Sequence, residues 1–287
     1  MQLQIIHRTA YTFSRPLTNL VQLLRLEPLS CLNQTVLDWR IDVDCDAKLR
    51  ETRDGYGNCV HMLYVDSAVT ELAVTATGRV ITEDRKGVVQ GVPGELPAEI
   101  FLRPTALTAA DEGLHAFANE LRSAREEPLA LLHELNSTLH QQMIFDGTAT
   151  SVTTSAAEAF AAGRGVCQDF AHIFISVARL CGTPARFVSG HLFRRDGHDA
   201  QTAGHGWAEA WVPALGWVAF DPAHGICADN AYVRIAAGLD YRDAAPTVGT
   251  RRGGGSETMN VEVSVAEATP RRSNRRQSQS QSQSQSQ

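Results

Sequence analysis

The chain has 287 residues, of which 43% are hydrophobic and 20% charged, a composition typical of folded domains that excludes a largely disordered chain. Its formal net charge of −6 gives no reason to expect a nucleic-acid partner. There is no apolar run of the roughly 18–20 residues that a membrane span needs, and the N-terminal stretch lacks the pattern of a signal peptide. We therefore expect a cytoplasmic protein of one large or two ordinary domains that binds neither nucleic acid nor membranes.

The cysteines of the chain form no C-x-x-C pair. Because we expect no export, we interpret them as reduced thiols and not as a disulfide framework. They are Cys31, Cys45, Cys59, Cys167, Cys181 and Cys227.

Residues 1–86 have the pattern of a β domain. Leu37–Val43 alternates apolar and polar residues with the period of a half-buried strand, and the turn-rich residues 53–58 separate it from another strand-like run. Several short strands joined by turns predict a sandwich-like module. His7 and His61 lie in such strand-like runs, and we interpret both as structural histidines.

The next residues, 87–104, contain three prolines and three glycines and are interpreted as a linker. Residues 105–269 are predicted to form a second domain, in which helical patterns come first. After residue 185 the period changes to two, which predicts strands, and residues 259–265 alternate again and are expected to close a sheet. Residues 270–287 repeat Gln and Ser after four arginines and are predicted to be a disordered tail.

The helix predicted after Gly163 is apolar on nearly every side and ends at Gly182, which indicates a buried helix at a domain centre. It begins with Cys167. A thiol at a helix N-terminus lies close to unpaired N–H groups and the positive end of the helix dipole, which favour the thiolate. A free cysteine can equally be a small buried hydrophobic residue, so the helix alone leaves the role of Cys167 open.

Two further residues complete a set that thiol catalysis requires. His205 begins a predicted strand and Asp221 ends the next one, and a turn at residues 213–216 joins the two strands. An imidazole can exchange protons with the thiol, and a carboxylate can orient the imidazole. In the simplest register Val212 is opposite Trp217, which leaves His205 and Asp221 offset by three residues, or about 10 Å along the strand.

Four segments carry a resemblance to a known family: GVCQDFAH, GTPARFVSGHL, HGWAEAWV and GWVAFDP. In this order they resemble the transglutaminase-like superfamily of papain-fold thiol enzymes. The opening IIHRTAYTFSRPL, with LLRLEP and DGYGN, is similar to the N-terminal β domain of its bacterial members. The resemblance covers roughly residues 1–265.

The resemblance implies an α+β fold: a β-sandwich-like N-terminal module, followed by a papain-like core with helices packed on an antiparallel sheet. It implies that Cys167 is the nucleophile, His205 the general base and acid, and Asp221 the orienting carboxylate. Gln168 is a candidate for stabilising the oxyanion with its side-chain amide. Trp207 is a candidate wall of the site, and an ordinary core position is the equal alternative for its indole. Asp169 is interpreted as a partner of the helix N-terminus. No segment matches the calcium loops of animal cross-linking enzymes, and we expect neither a cofactor nor a metal.

Several functions remain open at this point. The favoured reaction is hydrolysis of a peptide, isopeptide or amide bond through a thioester, on a peptide or protein substrate. With an amine as acceptor, the same groups would make a transglutaminase, and a non-enzymatic protein-binding module is a third possibility. A zinc site is less favoured because the spacing of the available cysteines and histidines fits no zinc motif. These residues are Cys167, His172, Cys181, His191, His198 and His205.

Overall fold

The computed structural model describes residues 1–94, 96–124 and 127–268, so the predicted tail, residues 270–287, lies outside the described residues. Its α+β architecture confirms the predicted fold class. A β-sandwich packs beside a core in which helices cover an antiparallel sheet. Across these described residues, the structure contains no helix of the length and apolarity that crossing a bilayer requires.

The strands and helices are numbered in chain order. The strands are β1 (Gln2–Phe13), β2 (Leu17–Leu24), β3 (Gln34–Val43), β4 (Lys48–Arg53), β5 (Cys59–Val65), β6 (Glu71–Thr82), β7 (Val88–Val89), β8 (Ile144–Phe145), β9 (Arg164–Gly165), β10 (Ala185–Leu192), β11 (Ala200–Gln201), β12 (His205–Val212), β13 (Gly216–Asp221), β14 (Ile226–Cys227), β15 (Tyr232–Gly238), β16 (Thr247–Gly253) and β17 (Glu257–Glu267). The α-helices are α1 (Glu112–Ala124), α2 (Pro128–Gln142), α3 (Ala156–Ala162), α4 (Cys167–Leu180) and α5 (Tyr241–Ala244), and a 3₁₀ helix spans Ala98–Leu102.

The sandwich consists of two antiparallel sheets, with strand orders β11-β17-β1-β6-β3 and β16-β2-β5-β4. Alternate residues of β1 are buried, as the period-two pattern requires. The apolar side chains between the sheets form a continuous core: Tyr11, Phe13, Leu17, Leu20, Leu24, Leu26, Leu63, Val65, Leu72, Val74 and Ala76.

The structure differs from the predicted domain boundary at the end of the core. Residues up to 269 were assigned to the second domain, but β16 pairs with β2 and β17 pairs with β1 along its whole length. The alternation in residues 259–265 identifies a strand without identifying its partner, because period two specifies only which side chains share a face. The sandwich is therefore built from both ends of the described chain.

The central sheet of the second domain has the order β14-β13-β12-β10-β15, and α4 packs against β12 and β10 on one face. The segment expected to be a linker covers the other face. Its strand β7 pairs with β13, and Phe101 is only 2% exposed, with its ring edge-on to Trp217. This segment connects the domains, but it is anchored to the sheet, because Val89 and Phe101 are buried there.

The predicted central helix is α4, and it is buried on all sides except at its ends. Its single cation, Arg179, lies in the interior, where the guanidinium donates to the backbone carbonyls of Phe101, Ala185 and Leu239. The helix ends before Gly182, whose φ of +82° suits glycine. Because α4 is enclosed by the sheet and the other helices, the residue at its first position is held in a fixed place.

Candidate active site

The hairpin of β12 and β13 places His205 and Asp221 on the same face of the sheet. The observed register pairs Trp211 with Trp217 and Ala208 with Phe220, one residue away from the predicted register. The next step along this ladder brings Asp221 level with Trp207, two residues from His205, and a shift of one residue exchanges the faces of a strand. In the predicted register the side chain of Asp221 would have been on the face of the sheet opposite to His205. The observed register puts both side chains on the same face.

Five hydrogen bonds converge on the buried carboxylate of Asp221. One oxygen, Oδ2, is 2.6 Å from Nε2 of His205, 2.8 Å from Nδ1 of His224 and 2.7 Å from the Tyr232 hydroxyl, which donates to it. The other, Oδ1, accepts from the backbone N–H groups of Ala223 and His224 at 3.0 and 3.3 Å. Burial would raise the pKa of Asp221, but the charge and hydrogen bond of His205 outweigh it and hold the pKa well below its usual range.

The imidazole of His205 lies between this carboxylate and the Cys167 thiol. Burial would lower the pKa of His205, but the charges of Cys167 and Asp221, with hydrogen bonds to both, outweigh burial and raise the pKa to about 10. Because Nε2 faces Asp221, the other ring nitrogen, Nδ1, is the one available to the thiol. This arrangement favours an imidazolium at neutral pH, next to the Cys167 side chain at the N-terminus of α4.

The indole of Trp207 packs against the imidazole of His205. Its ring stacks on His205 with centroids 6.1 Å apart, contacts Tyr232 edge-on at 5.4 Å, and is 2% exposed. The structure therefore places the predicted wall residue beneath His205 and away from the open part of the site. Gly190 leaves room for the indole, since a Cβ there would lie 2.6 Å from the Trp207 ring.

Gln168 is buried beside Cys167, and its side-chain nitrogen donates to the carbonyl of Val152 at 3.4 Å. This bond ties the loop after β8 to the start of α4. The backbone N–H of Cys167 lies in the first helical turn, where N–H groups have no carbonyl partner within the helix and can serve an oxyanion. The oxyanion role of Gln168 stays a prediction.

Asp169 fixes the beginning of α4. Its Oδ2 accepts from the Val166 backbone N–H at 2.8 Å and from the Thr150 hydroxyl at 2.6 Å. Burial raises its pKa, which these two hydrogen bonds partly offset. Gly165 passes so close that a Cβ there would lie 2.5 Å from Asp169 Oδ2. The aspartate therefore has the predicted structural role.

A cavity of about 960 Å³ opens between the sandwich and the core. Cys167, Gln168 and His205 line it together with residues of the loops after β8 and β10, and with His7 and Arg25 from the sandwich. The volume is near the upper end of the range for small-molecule and cofactor sites. Cys167 and His205 thus lie at a cleft that could hold an extended substrate, with Asp221 buried behind them.

Two clusters could offer three metal-ligand atoms each within 4.8 Å of one another: His205, Asp221 and His224, and, in the sandwich, Glu27, Cys59 and His61. Within the described ranges, no three of the side chains considered for zinc come together in this way. One of them, His172, accepts instead from the backbone N–H of Tyr241 at 3.1 Å. In the first cluster a metal would have to displace the 2.6 Å bond between His205 and Asp221.

Two neighbours of the site were missed in the sequence, His224 and Tyr232. His224 lies three residues after Asp221, a spacing that suits a turn in which its backbone and side chain both contact the carboxylate. That spacing could have pointed to it. Tyr232 comes from β15 across the sheet, and no local pattern links it to Asp221.

Comparisons with known proteins agree with this architecture. Residues 3–81 match the model of the bacterial transglutaminase-like N-terminal region, and residues 115–222 match that of the transglutaminase-like superfamily. An uncharacterized protein of Mycobacterium leprae is 30% identical over 92% of this chain and 98% of its own length. Another, from Mycobacterium tuberculosis strain H37Rv, is 27% identical over 91% of both chains.

A solved structure shows the same fold. The crystal structure of a candidate cysteine protease from Cytophaga hutchinsonii has a TM-score of 0.76 and 22% identity, and the match covers 94% of this chain and 91% of that one. The match therefore includes both the sandwich and the core. Together with the two family matches, it shows that the chain belongs to the bacterial transglutaminase-like family, with the N-terminal domain of that family.

Proposed function

We propose that this protein is a thiol hydrolase that cleaves an amide bond of a peptide or protein in the cytoplasm, with Cys167, His205 and Asp221 as its catalytic residues. The observation that carries the proposal is that Cys167 and His205 line one cleft, with His205 hydrogen-bonded to both Cys167 and the buried Asp221. Family membership supports cysteine chemistry, and the raised pKa of His205 supports a protonated imidazole ready to act as an acid.

The reaction follows from these positions. The Cys167 thiolate attacks the carbonyl carbon and forms a C–S bond, and the oxyanion is stabilised by the Cys167 backbone N–H. The imidazolium of His205 gives its proton to the leaving amine as the C–N bond breaks, which leaves a thioester. Neutral His205 then takes a proton from water, whose oxygen attacks the thioester and releases the acid and the thiolate. Asp221 stabilises the imidazolium at each stage.

The second candidate is transfer of the acyl group to an amine, which replaces water in the last step. The match of residues 115–222 to the transglutaminase-like superfamily favours keeping this candidate. A binding module without catalysis is less consistent with a buried carboxylate that five hydrogen bonds hold in place and that contacts the imidazole beside Cys167, because such an arrangement serves no binding surface.

The test presents glutamine- and amide-containing peptides to the protein with and without a primary amine and follows the products by mass spectrometry. We expect cleavage or deamidation products in both conditions, and their absence in Cys167→Ala. Incorporation of the amine as the main product would favour the transferase. Cys181→Ser is the matched control, because Cys181 lies at the far end of α4 and should keep full activity.

The same thiol can be tested without a substrate. Brief treatment with iodoacetamide at neutral pH should give one fast adduct on Cys167, since the adjacent imidazolium stabilises the thiolate. Intact mass and peptide mapping identify the site. Slow, equal labelling of all accessible cysteines would contradict the activated thiolate and favour the binding module.

A further inference from the structure

Two buried histidines, one from each domain, meet in the cleft. His7 comes from β1 of the sandwich and His191 from β10 of the central sheet, and their ring centroids are 5.3 Å apart with the planes at 76°. Both rings line the cavity that also contains Cys167 and His205. The sequence pattern suggested that His7 is a structural histidine with a satisfied ring.

The rings are not satisfied by the protein. His7 is 2% and His191 3% exposed, yet Nδ1 of His7 and both ring nitrogens of His191 have no hydrogen-bond partner. The remaining nitrogen, Nε2 of His7, has only the Thr9 hydroxyl at 3.4 Å. Buried polar groups in proteins are nearly always hydrogen-bonded. Three unpaired nitrogens on residues that line a cavity therefore mark a place where a polar group of a ligand can bind.

The charge of this region indicates which polar group fits. Burial lowers the pKa of His7 to about 4 and, with a smaller effect of His7, that of His191 to about 3, so both rings are neutral at pH 7. The arginines that line the cavity are each paired with a carboxylate: Arg25 with Asp54, Arg194 with Asp196 and Arg195 with Asp229. The two histidine rings thus offer neutral donors and acceptors. None of these arginines has a positive charge that is free of a carboxylate partner.

A neutral imidazole has one donor and one acceptor nitrogen, and a carboxamide likewise both donates and accepts. A carboxylate only accepts, and it would bring an uncompensated charge into a buried place. An apolar group would leave the ring nitrogens unpaired. Of these three groups, the carboxamide is the one that matches the two rings.

We propose that His7 and His191 form a specificity subsite that hydrogen-bonds the side-chain carboxamide of a glutamine or asparagine in the substrate, at a position apart from the bond that Cys167 attacks. The inference rests on the proposed function in taking this cavity as the substrate cleft. It also gives the N-terminal domain a role in recognising the substrate, because this domain supplies one of the two rings.

The test measures binding to the Cys167→Ala chain, in which turnover is blocked. Protein with ¹⁵N-labelled histidine is titrated with acetyl-Gly-Gln-Gly-amide and with matched peptides that carry glutamate or norleucine in place of glutamine. We expect the glutamine peptide to shift the ring ¹⁵N resonances of His7 and His191 and to bind at least tenfold more tightly than the other two. His7→Phe and His191→Phe should each remove this preference, whereas the control His115→Phe, on the exposed face of α1, should keep it.

The proposal fails if none of the peptides binds, if the glutamine peptide binds without shifting these two rings, or if the glutamate peptide binds more tightly. The ring resonances of the chain with both histidines present decide the question even if a phenylalanine variant does not fold. Because binding is measured without catalysis, its result is separate from the activity test: loss of product formation with intact peptide binding would reject only the proposed reaction.

Discussion

At the scale of single residues, Asp221 organises the site. It is buried and accepts five hydrogen bonds, and three of them come from side chains of β12, of β15 and of the turn after β13. A carboxylate held in this way stays ionised and cannot turn away, so the imidazole beside it has one orientation. The direction of the thiol–imidazole bond is therefore set by a residue that does not line the cleft.

Replacing the charge while keeping the shape tests this role. In Asp221→Asn, the loss of the negative charge should lower the pKa of His205 from about 10 and favour the neutral ring. We expect kcat to fall by about 10⁴-fold, as for the equivalent change in a catalytic triad. The pH profile of peptide cleavage measures both effects. Asp229→Asn, at the surface ion pair with Arg195, is the control, and equal losses in the two variants would contradict the assignment.

Tyr232 donates one of the three side-chain bonds to Asp221 and is itself buried. Tyr232→Phe keeps the ring against Trp207 and removes only the hydroxyl. Loss of one hydrogen bond to a buried carboxylate costs about 1.5–3 kcal/mol, so we expect roughly a 10- to 100-fold loss of kcat with little change in KM. A change confined to KM, in steady-state kinetics, would show that the hydroxyl serves the substrate instead.

The raised pKa of His205 also allows a prediction of how the free energy of unfolding depends on pH. Its pKa is about 10 in the folded protein and 6.5 without the fold. Because the folded value is the higher one, the stabilising contribution is fully present below about pH 6.5 and is lost as pH rises through 10. Urea unfolding should therefore show a larger gap between the wild type and His205→Gln at pH 6 than at pH 10. A gap that widens with pH would refute the ion pair.

At the scale of elements, the site requires two separate parts of the chain to come together: the start of α4, with Cys167, and the β12–β13 hairpin, with His205 and Asp221. That Cys167, His205 and Asp221 lie on these elements could be predicted from the sequence, because the buried helix and the two strands have strong local patterns. The register of the β12–β13 pair could not be predicted, because a shift of one residue preserves both the turn and the alternation and changes only the face on which Asp221 lies. His7 was interpreted as satisfied for a related reason, since its neighbour His191 lies 184 residues away in the chain.

The close packing at the start of α4 can be tested at Gly165. In Gly165→Ala the new Cβ would lie 2.5 Å from Asp169 Oδ2, so the aspartate must release Val166 and Thr150 or the backbone must move. We expect a loss of about 1–3 kcal/mol in the free energy of unfolding, together with reduced activity. Gly55→Ala, where a Cβ meets nothing within 4 Å, is the matched control. Denaturant titration and kcat measure the two effects.

At the scale of the whole molecule, the two domains share one core. Leu3, Ile5 and Val80 of the sandwich belong to the same buried cluster as the helices of the second domain, and Val263 and Val265 of β17 join them there. The family match to residues 3–81 describes a sequence unit. The structural unit is larger, because β16 and β17 complete both sheets of the sandwich.

The fragment 1–86 should therefore not fold by itself. Without β17 the whole length of β1 becomes an open edge, and an unpaired edge strand promotes aggregation. We expect a disordered or aggregated product by circular dichroism and size-exclusion chromatography, whereas the fragment extended by a linker to residues 246–268 should recover strand content. A monomeric, well-folded 1–86 fragment would show that the sandwich is independent of the late strands.

The pairing of β1 with β17 also determines when the sandwich can fold during synthesis of the chain. A ribosome adds about 5–20 residues per second, so β1 waits on the order of 10–50 seconds for β17 to be synthesised. Until then the sandwich is incomplete, and one wall of the cleft, with His7, is not in place. A nascent chain that already carries Cys167 would therefore lack a finished cleft, and the proposed activity would appear only once translation has passed the late strands.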